Sequence, residues 1–242
     1  MINPSDIEKK TMTQEKRKMA KNDYIAYYFG RKLSYILTIP FLYFNISPNV
    51  ISIISMVPIL IGFFLFLIGH SSVMFFGGWV FLFLWNLIDG VDGNVARYKE
   101  QYSAMGSVYD AMSGYLAMVM TFFAAGLGAA HQSGVLIFWG FNAEFYIICG
   151  ALSGILVIFP RLIMQKAIVT LGNSSGVSSV KDKATFGFFK VIALNLSSVT
   201  GGAQFLLLLA VLFNLLDIYT IFYLFFNMAI AVVSLISIFR EE

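Results

Sequence analysis

Residues 87–118 read LIDGVDGNVARYKEQYSAMGSVYDAMSGYLAM. Asp89, Asp92, Arg97 and Asp110 stand in this stretch beside almost pure hydrocarbon: VMFFGGWVFLFLWN at 73–86 and LAMVMTFFAAGLGAA at 116–130. Apolar runs of this length, interrupted only near Glu100, read as two antiparallel membrane helices joined by a short polar turn. Asp92 then lies eight residues before the turn and Asp110 ten after it, at similar depth. Asp89 and Asp92 are three residues apart, hence about 60° apart on one helix face. Three acids therefore converge just below one membrane surface.

The rest of the chain agrees with a membrane setting. It has 242 residues, 59% hydrophobic and 12% charged, with a mean hydropathy of +0.80. That is more apolar surface than a soluble domain needs. The expected fold class is all-α: a polytopic membrane protein with six transmembrane helices preceded by an interfacial amphipathic helix. Residues 1–23 carry both charge signs and read as a cytoplasmic polar leader, flexible or surface-lying. A cleavable signal peptide is not expected, because the first apolar run begins only after this leader. Residues 24–242 form the membrane domain. It opens with an aromatic-rich stretch at about 24–45 that suits the headgroup region. The spans begin near Pro48 and cover roughly 72–98, 103–130, 144–170, 199–216 and 218–239, with a polar loop GNSSGVSSVKDKATFG at 172–187. With the N-terminus in the cytoplasm, all 16 Lys and Arg fall on inside segments, from Lys9 to Arg240. The outside loops hold His70, His131, Glu144 and Asp217. Both termini are thus expected in the cytoplasm.

The chemistry follows from the residue types. Packed carboxylates repel and lose hydration, so acids at this depth need compensation. Three converging oxygen donors suit a hard divalent cation, Mg²⁺ or Mn²⁺. No His or Cys is near, which argues against zinc. Gly90, Gly93 and Gly106 let backbone and a bulky ligand approach closely. Arg97 can hold a phosphate bidentately. Together these point to diphosphate chemistry. A local Asp–Arg pairing accounts poorly for three acids with interleaved glycines. A cation transporter would need polar groups through the midplane, and these acids group near one surface.

Asp89, Asp92, Gly93, Ala96, Arg97, Gly106 and Asp110 also fit, in identity and spacing, the pattern D-x2-D-G-x2-A-R-x8-G-x3-D-x3-D. The chain therefore resembles the CDP-alcohol phosphotransferases, integral membrane enzymes of phospholipid synthesis. RKLS at 31–34 and SPN at 47–49 resemble that family's pre-span helix and the start of its first span. The resemblance implies a homodimer with six transmembrane helices around a cavity open to the cytoplasm, in a bacterial inner membrane. It implies a CDP-linked donor, a lipid or glycan acceptor alcohol and release of CMP, with no nucleic-acid partner. Asp89, Asp92 and Asp110 would bind the metal and act catalytically. Gly93, Ala96, Arg97 and Gly106 would line the cytidine diphosphate site. The family's last Asp falls on Gly114, which can neither ligate a metal nor take a proton, and Tyr109, Ser113, Tyr115 and Glu100 are poor substitutes. An unusual donor or acceptor, such as a glycan receiving a phospho- or phosphono-alcohol, is one consequence. A catalytically inactive nucleotide-binding homologue is the alternative.

Other residues carry less. Asn49 either touches the nucleotide or caps the first span. Arg161 either holds an anion or, like Lys166, reaches the headgroups. The Gly150-x3-Gly154 spacing reads as helix packing, His70 and His131 as surface residues, and Cys149 as a small buried hydrophobe. NIS, NSS and NLS fall on inside or interfacial segments and are discounted as glycosylation sites.

Overall fold

The computed structural model describes residues 2–132, 134–136, 140–171 and 188–239. The loop expected at 172–187 lies outside the described residues. Two short helices form the leader: α1 (Pro4–Thr11) and α2 (Gln14–Ala20). A π-helical turn at Ala26–Gly30 runs into α3 (Arg31–Tyr43), where the interfacial helix was expected. The long helices are α4 (Pro48–Ile68), α5 (Ser72–Lys99), α6 (Ala104–His131), α7 (Ala143–Leu171) and α10 (Leu216–Phe239). Between the last two lie α8 (Phe188–Ser197) and α9 (Gly202–Leu212).

Five of these helices are long and apolar enough to cross a membrane. Residues 191–197 of α8 and the whole of α9 make a sixth crossing if taken as one bent span, broken by 55°. The expected fifth span at about 199–216 covers the 11-residue α9, so a crossing there needs α8 as well. At about 1.5 Å per residue, the 11 residues of α9 cover about 16 Å, short of the roughly 30 Å of hydrocarbon. Gly201 and Gly202 at the break give no side-chain support to a continuous helix. The chain is a multi-pass membrane protein.

The helices are apolar all round, but their faces differ. On α4 the buried set is Ile51, Ser52, Ser55, Ile59, Gly62 and Phe66, while Ile53, Val57, Phe64 and Ile68 face outward. That spacing gives one packed face and one hydrocarbon face, as expected of a helix bathed in lipid. The main core gathers Ile59, Phe66, Phe75, Leu82, Trp85, Phe122, Leu207, Leu216 and Tyr223. α4 packs on both α5 and α6, α7 packs on α6 and α10, and α9 packs on α5. Close approach of α6 and α7 depends on paired glycines. A methyl group on Gly126 would sit 2.9 Å from the Gly150 Cα, and one on Gly154 would sit 3.1 Å from the Val119 carbonyl oxygen. The Gly150 and Gly154 pair is thus a packing seam.

Capping sets the turn that matters most. Helix α5 ends at Glu100, which adopts the left-handed conformation (φ 55°) and returns its N–H to the Ala96 carbonyl. Three residues later the Ser103 hydroxyl accepts the Gly106 N–H at 2.8 Å and starts α6. So short a link makes α5 and α6 antiparallel and brings their polar ends level.

The leader is less detached than its charge suggested. Ile7 is fully buried, in a second core with Met12, Tyr35, Leu42, Ile51, Ile88, Val91 and Val95. It docks α1 onto α3 and α5.

Candidate active site

Antiparallel α5 and α6 bring Asp89, Asp92 and Asp110 together. Each offers a carboxylate oxygen, and the three lie within 4.8 Å of one another. They line a cavity of about 580 Å³ that also takes in Gly93, Ala96, Arg97 and Gly106. All seven residues singled out from the spacing therefore border one space.

The neighbouring helices fix these side chains. Ser52, on the buried face of α4, donates a hydrogen bond to Asp92 Oδ2. Beneath it, the Ser55 and Ser113 hydroxyls meet at 2.8 Å, and Trp85 Nε1 donates to Ser113 Oγ at 2.9 Å. Polar atoms under the acids are thus held by hydrogen bonds, as burial requires. Asn94 donates to both Ser34 Oγ and Thr38 Oγ1 of α3, each at 3.1 Å. Its oxygen accepts from Arg97 Nη2 at 3.2 Å. The guanidinium is thereby hung from α3 through Asn94. Gly93 makes room for it, since a methyl group there would lie 3.0 Å from both Arg97 Nη atoms. Gly106 likewise faces Asn49 Oδ1, which accepts from Ser103 Oγ at 3.2 Å.

Two polar atoms are left over. Asp89 Oδ1 and Arg97 Nε are buried without a hydrogen-bond partner among the described residues. A buried carboxylate oxygen without a donor costs free energy unless something positive meets it. Opposite ligands of a six-coordinate hard cation stand about 4–5 Å apart, twice a metal–oxygen bond of about 2.0–2.5 Å. The three oxygens and the orphaned Asp89 atom therefore fit a divalent cation, with no soft donor in the group.

Several expected candidates sit elsewhere. Glu100 is exposed in the turn and does not border the cavity. Arg161 and Lys166 lie on exposed positions of α7, off the cavity. A side chain at Gly114 would meet nothing within 4 Å. At the far end, the His70 and His131 rings pack at 4.6 Å with their planes tilted by 37°, and His131 Nδ1 lies 3.0 Å from the Gly69 carbonyl. Cys149 is buried on α7.

Other cavity residues were not singled out as site residues in the sequence: Ser52, Ser34, Asn94, Thr200, Lys16 and Arg31, although Ser34 and Arg31 belong to the RKLS stretch. Ser52 had a signal, because Asn49, Ser52 and Ser55 repeat every three residues along an otherwise apolar helix. Lys16 had none, sitting in a segment where charges are common, and Arg31 was legible only as part of the pre-span RKLS stretch.

Comparison with known proteins agrees with this geometry. Residues 45–233 match a family profile described as CDP-alcohol phosphatidyltransferase. No curated protein matches the chain.

Proposed function

The chain belongs to the CDP-alcohol phosphatidyltransferase family, and on that footing we propose a metal-dependent transfer from a CDP-linked alcohol to an acceptor hydroxyl. The group moved is a substituted phosphoryl or phosphonyl group, and CMP is released. The observation that carries this reading is the convergence of three carboxylates, one with a buried unpartnered oxygen, beside Arg97 in one cavity.

In this reading Asp89, Asp92 and Asp110 hold Mg²⁺ or Mn²⁺, and Gly93, Ala96, Arg97 and Gly106 border the cytidine diphosphate. A divalent ion bound there supplies positive charge against the phosphate oxygens. Arg97, anchored by Asn94, keeps free N–H donors for the phosphate that departs as CMP. The acceptor oxygen bonds to the phosphorus that carries the donor alcohol. The P–O bond to CMP breaks, its electron pair leaves with CMP, and the acceptor proton passes to water. Gly114 supplies no carboxylate for that proton, and the open space at this position suits a bulky acceptor.

The bias of Lys and Arg supports placing the acid-bearing end in the cytoplasm, and the membrane in this reading is a bacterial inner membrane. Residues 24–242 then form the catalytic membrane domain of a homodimer, with residues 1–23 as its leader. The products belong to membrane lipids or cell-surface glycans.

The test is incubation of membranes containing the protein with Mg²⁺ and a panel of CDP-linked donors, reading CMP and the mass-shifted product. Turnover that survives Asp89→Ala or Asp110→Ala would remove the assignment. Binding of CDP without CMP release across the panel would favour the inactive homologue.

A further inference from the structure

The cavity that holds the three acids also holds three cations. Arg97 comes from α5, Arg31 from the first position of α3, and Lys16 from α2. Among the described residues, none of the three has a carboxylate within ion-pair distance. Burial, and then the positive charges of Arg97 and Arg31, push the Lys16 amine down to about 8. Three cations this close repel one another, and once the acids are committed to a divalent cation a bound anion relieves that repulsion.

The leader is fastened so that Lys16 stays at the cavity. On one side Ile7 sits in the core, and Lys10 Nζ lies 4.4 Å above the Tyr98 ring of α5. Arg17 pairs with Glu8 at 2.8 Å and ties α2 to α1. On the other side Asn195 accepts the Tyr24 N–H at 2.8 Å and donates to the Asn22 carbonyl at 2.6 Å. Ser198 donates to Asp23 at 2.7 Å. The leader thus bridges α5 and the break between α8 and α9, and Thr200 from that break also lines the cavity. Residues Lys16 and Arg31 both precede position 45, where the family match begins.

We propose that the N-terminal leader forms part of the substrate site, and that Lys16 and Arg31 join Arg97 in binding the diphosphate oxygens of the CDP-linked donor. This rests on the reading of the cavity as a CDP-alcohol site. Arg31 and Arg97 supply planar donor forks, and Lys16 supplies a mobile point charge. The groups facing Lys16 are Arg31 of α3 and Arg97 of α5, with Asp89, Asp92 and Asp110 lining the same cavity.

The test uses the full chain in nanodiscs of uncharged lipid with Mn²⁺, measuring dissociation constants for CDP, CMP and Mn²⁺ alone. Lys16→Ala and Arg31→Ala each weaken CDP binding about ten-fold or more, the size expected for a lost charge-assisted hydrogen bond. They weaken CMP less and leave Mn²⁺ binding unchanged. In the wild type, CDP affinity falls as pH rises from 7 to 9, because Lys16 loses its proton there. The phosphates, whose last ionisation lies near about 6, keep constant charge over this range. Lys16→Arg keeps the affinity and flattens the profile. Lys16→Met and Arg31→Gln preserve side-chain length and give the same read-out if the alanine variants do not fold. CDP affinity within two-fold of wild type in these variants, or an unaltered pH profile in Lys16→Arg, overturns the role of the leader alone. A wild-type protein that binds neither CDP nor CMP overturns that role and the reading of the cavity together.

Discussion

Replacing Asp89 with Asn removes one of three negative charges while keeping the shape of the side chain. The carboxylate oxygens of Asp89, Asp92 and Asp110 lie within 4.8 Å of one another. At that separation and an effective dielectric constant of about 20, each like-charged pair costs about 3 kcal/mol. Asp89 takes part in two such pairs, so the bare repulsion is about 6–7 kcal/mol before counter-ions, solvent screening and proton uptake reduce it. The new amide costs little locally, because Asp89 Oδ1 has no hydrogen-bond partner among the described residues to lose. A net relief of about 1–2 kcal/mol corresponds to roughly 2–8 °C in melting temperature for a chain of this size. In chelator, Asp89→Asn therefore melts higher than the wild type. With Mn²⁺ the order reverses, because the variant gains little from the metal and the wild type gains a good deal. CMP release falls at least about 100-fold with the lost metal ligand. The assay is thermal unfolding in nanodiscs with chelator and with Mn²⁺, paired with CMP release. Lower melting of the variant in chelator would refute the crowded-charge argument, as would an undiminished response to Mn²⁺.

Ser52→Ala removes the donor that holds Asp92, so Mn²⁺ affinity drops by about 10- to 100-fold, as titration would show, with melting temperature little changed. Gly114→Asp accumulates as folded protein, since a side chain there meets open space. An acid one turn beyond Asp110 tightens Mn²⁺ binding by about ten-fold, the gain expected of one further charged ligand. Unchanged affinity would mean that position 114 does not face the acids. Gly126→Leu drives a side chain into Gly150 of α7, and the loss of at least about 3 kcal/mol expected of a disrupted close helix contact is read as lost folded protein on size-exclusion chromatography.

Much of this architecture was legible because hydrocarbon runs of fixed length leave few alternatives in a membrane. α4, α5, α6, α7 and α10 follow their apolar stretches closely. The fifth crossing did not, because the leucine-rich run at 205–209 drew the expected start to 199. A crossing here needs α8 as well as α9, and Asn195 of α8 and Ser198 at the break are polar yet paired with the leader. The seven candidate residues at the acidic end were legible because a gapped pattern across one helix turn survives in the sequence. Lys16 and Arg31 were not, since their meeting with Arg97 is made by tertiary docking and leaves no spacing to read. Ser34 and Thr38 were hidden for the same reason, as partners of Asn94 across two elements.

The clasp between Tyr24 and Asn195 joins positions 171 residues apart. During synthesis the leader emerges before α4–α7, whereas Asn195 and Ser198 do not exist until those helices have been made. The leader therefore waits for α8 before it can settle, and the basic edge of the cavity is completed only after that helix has been made.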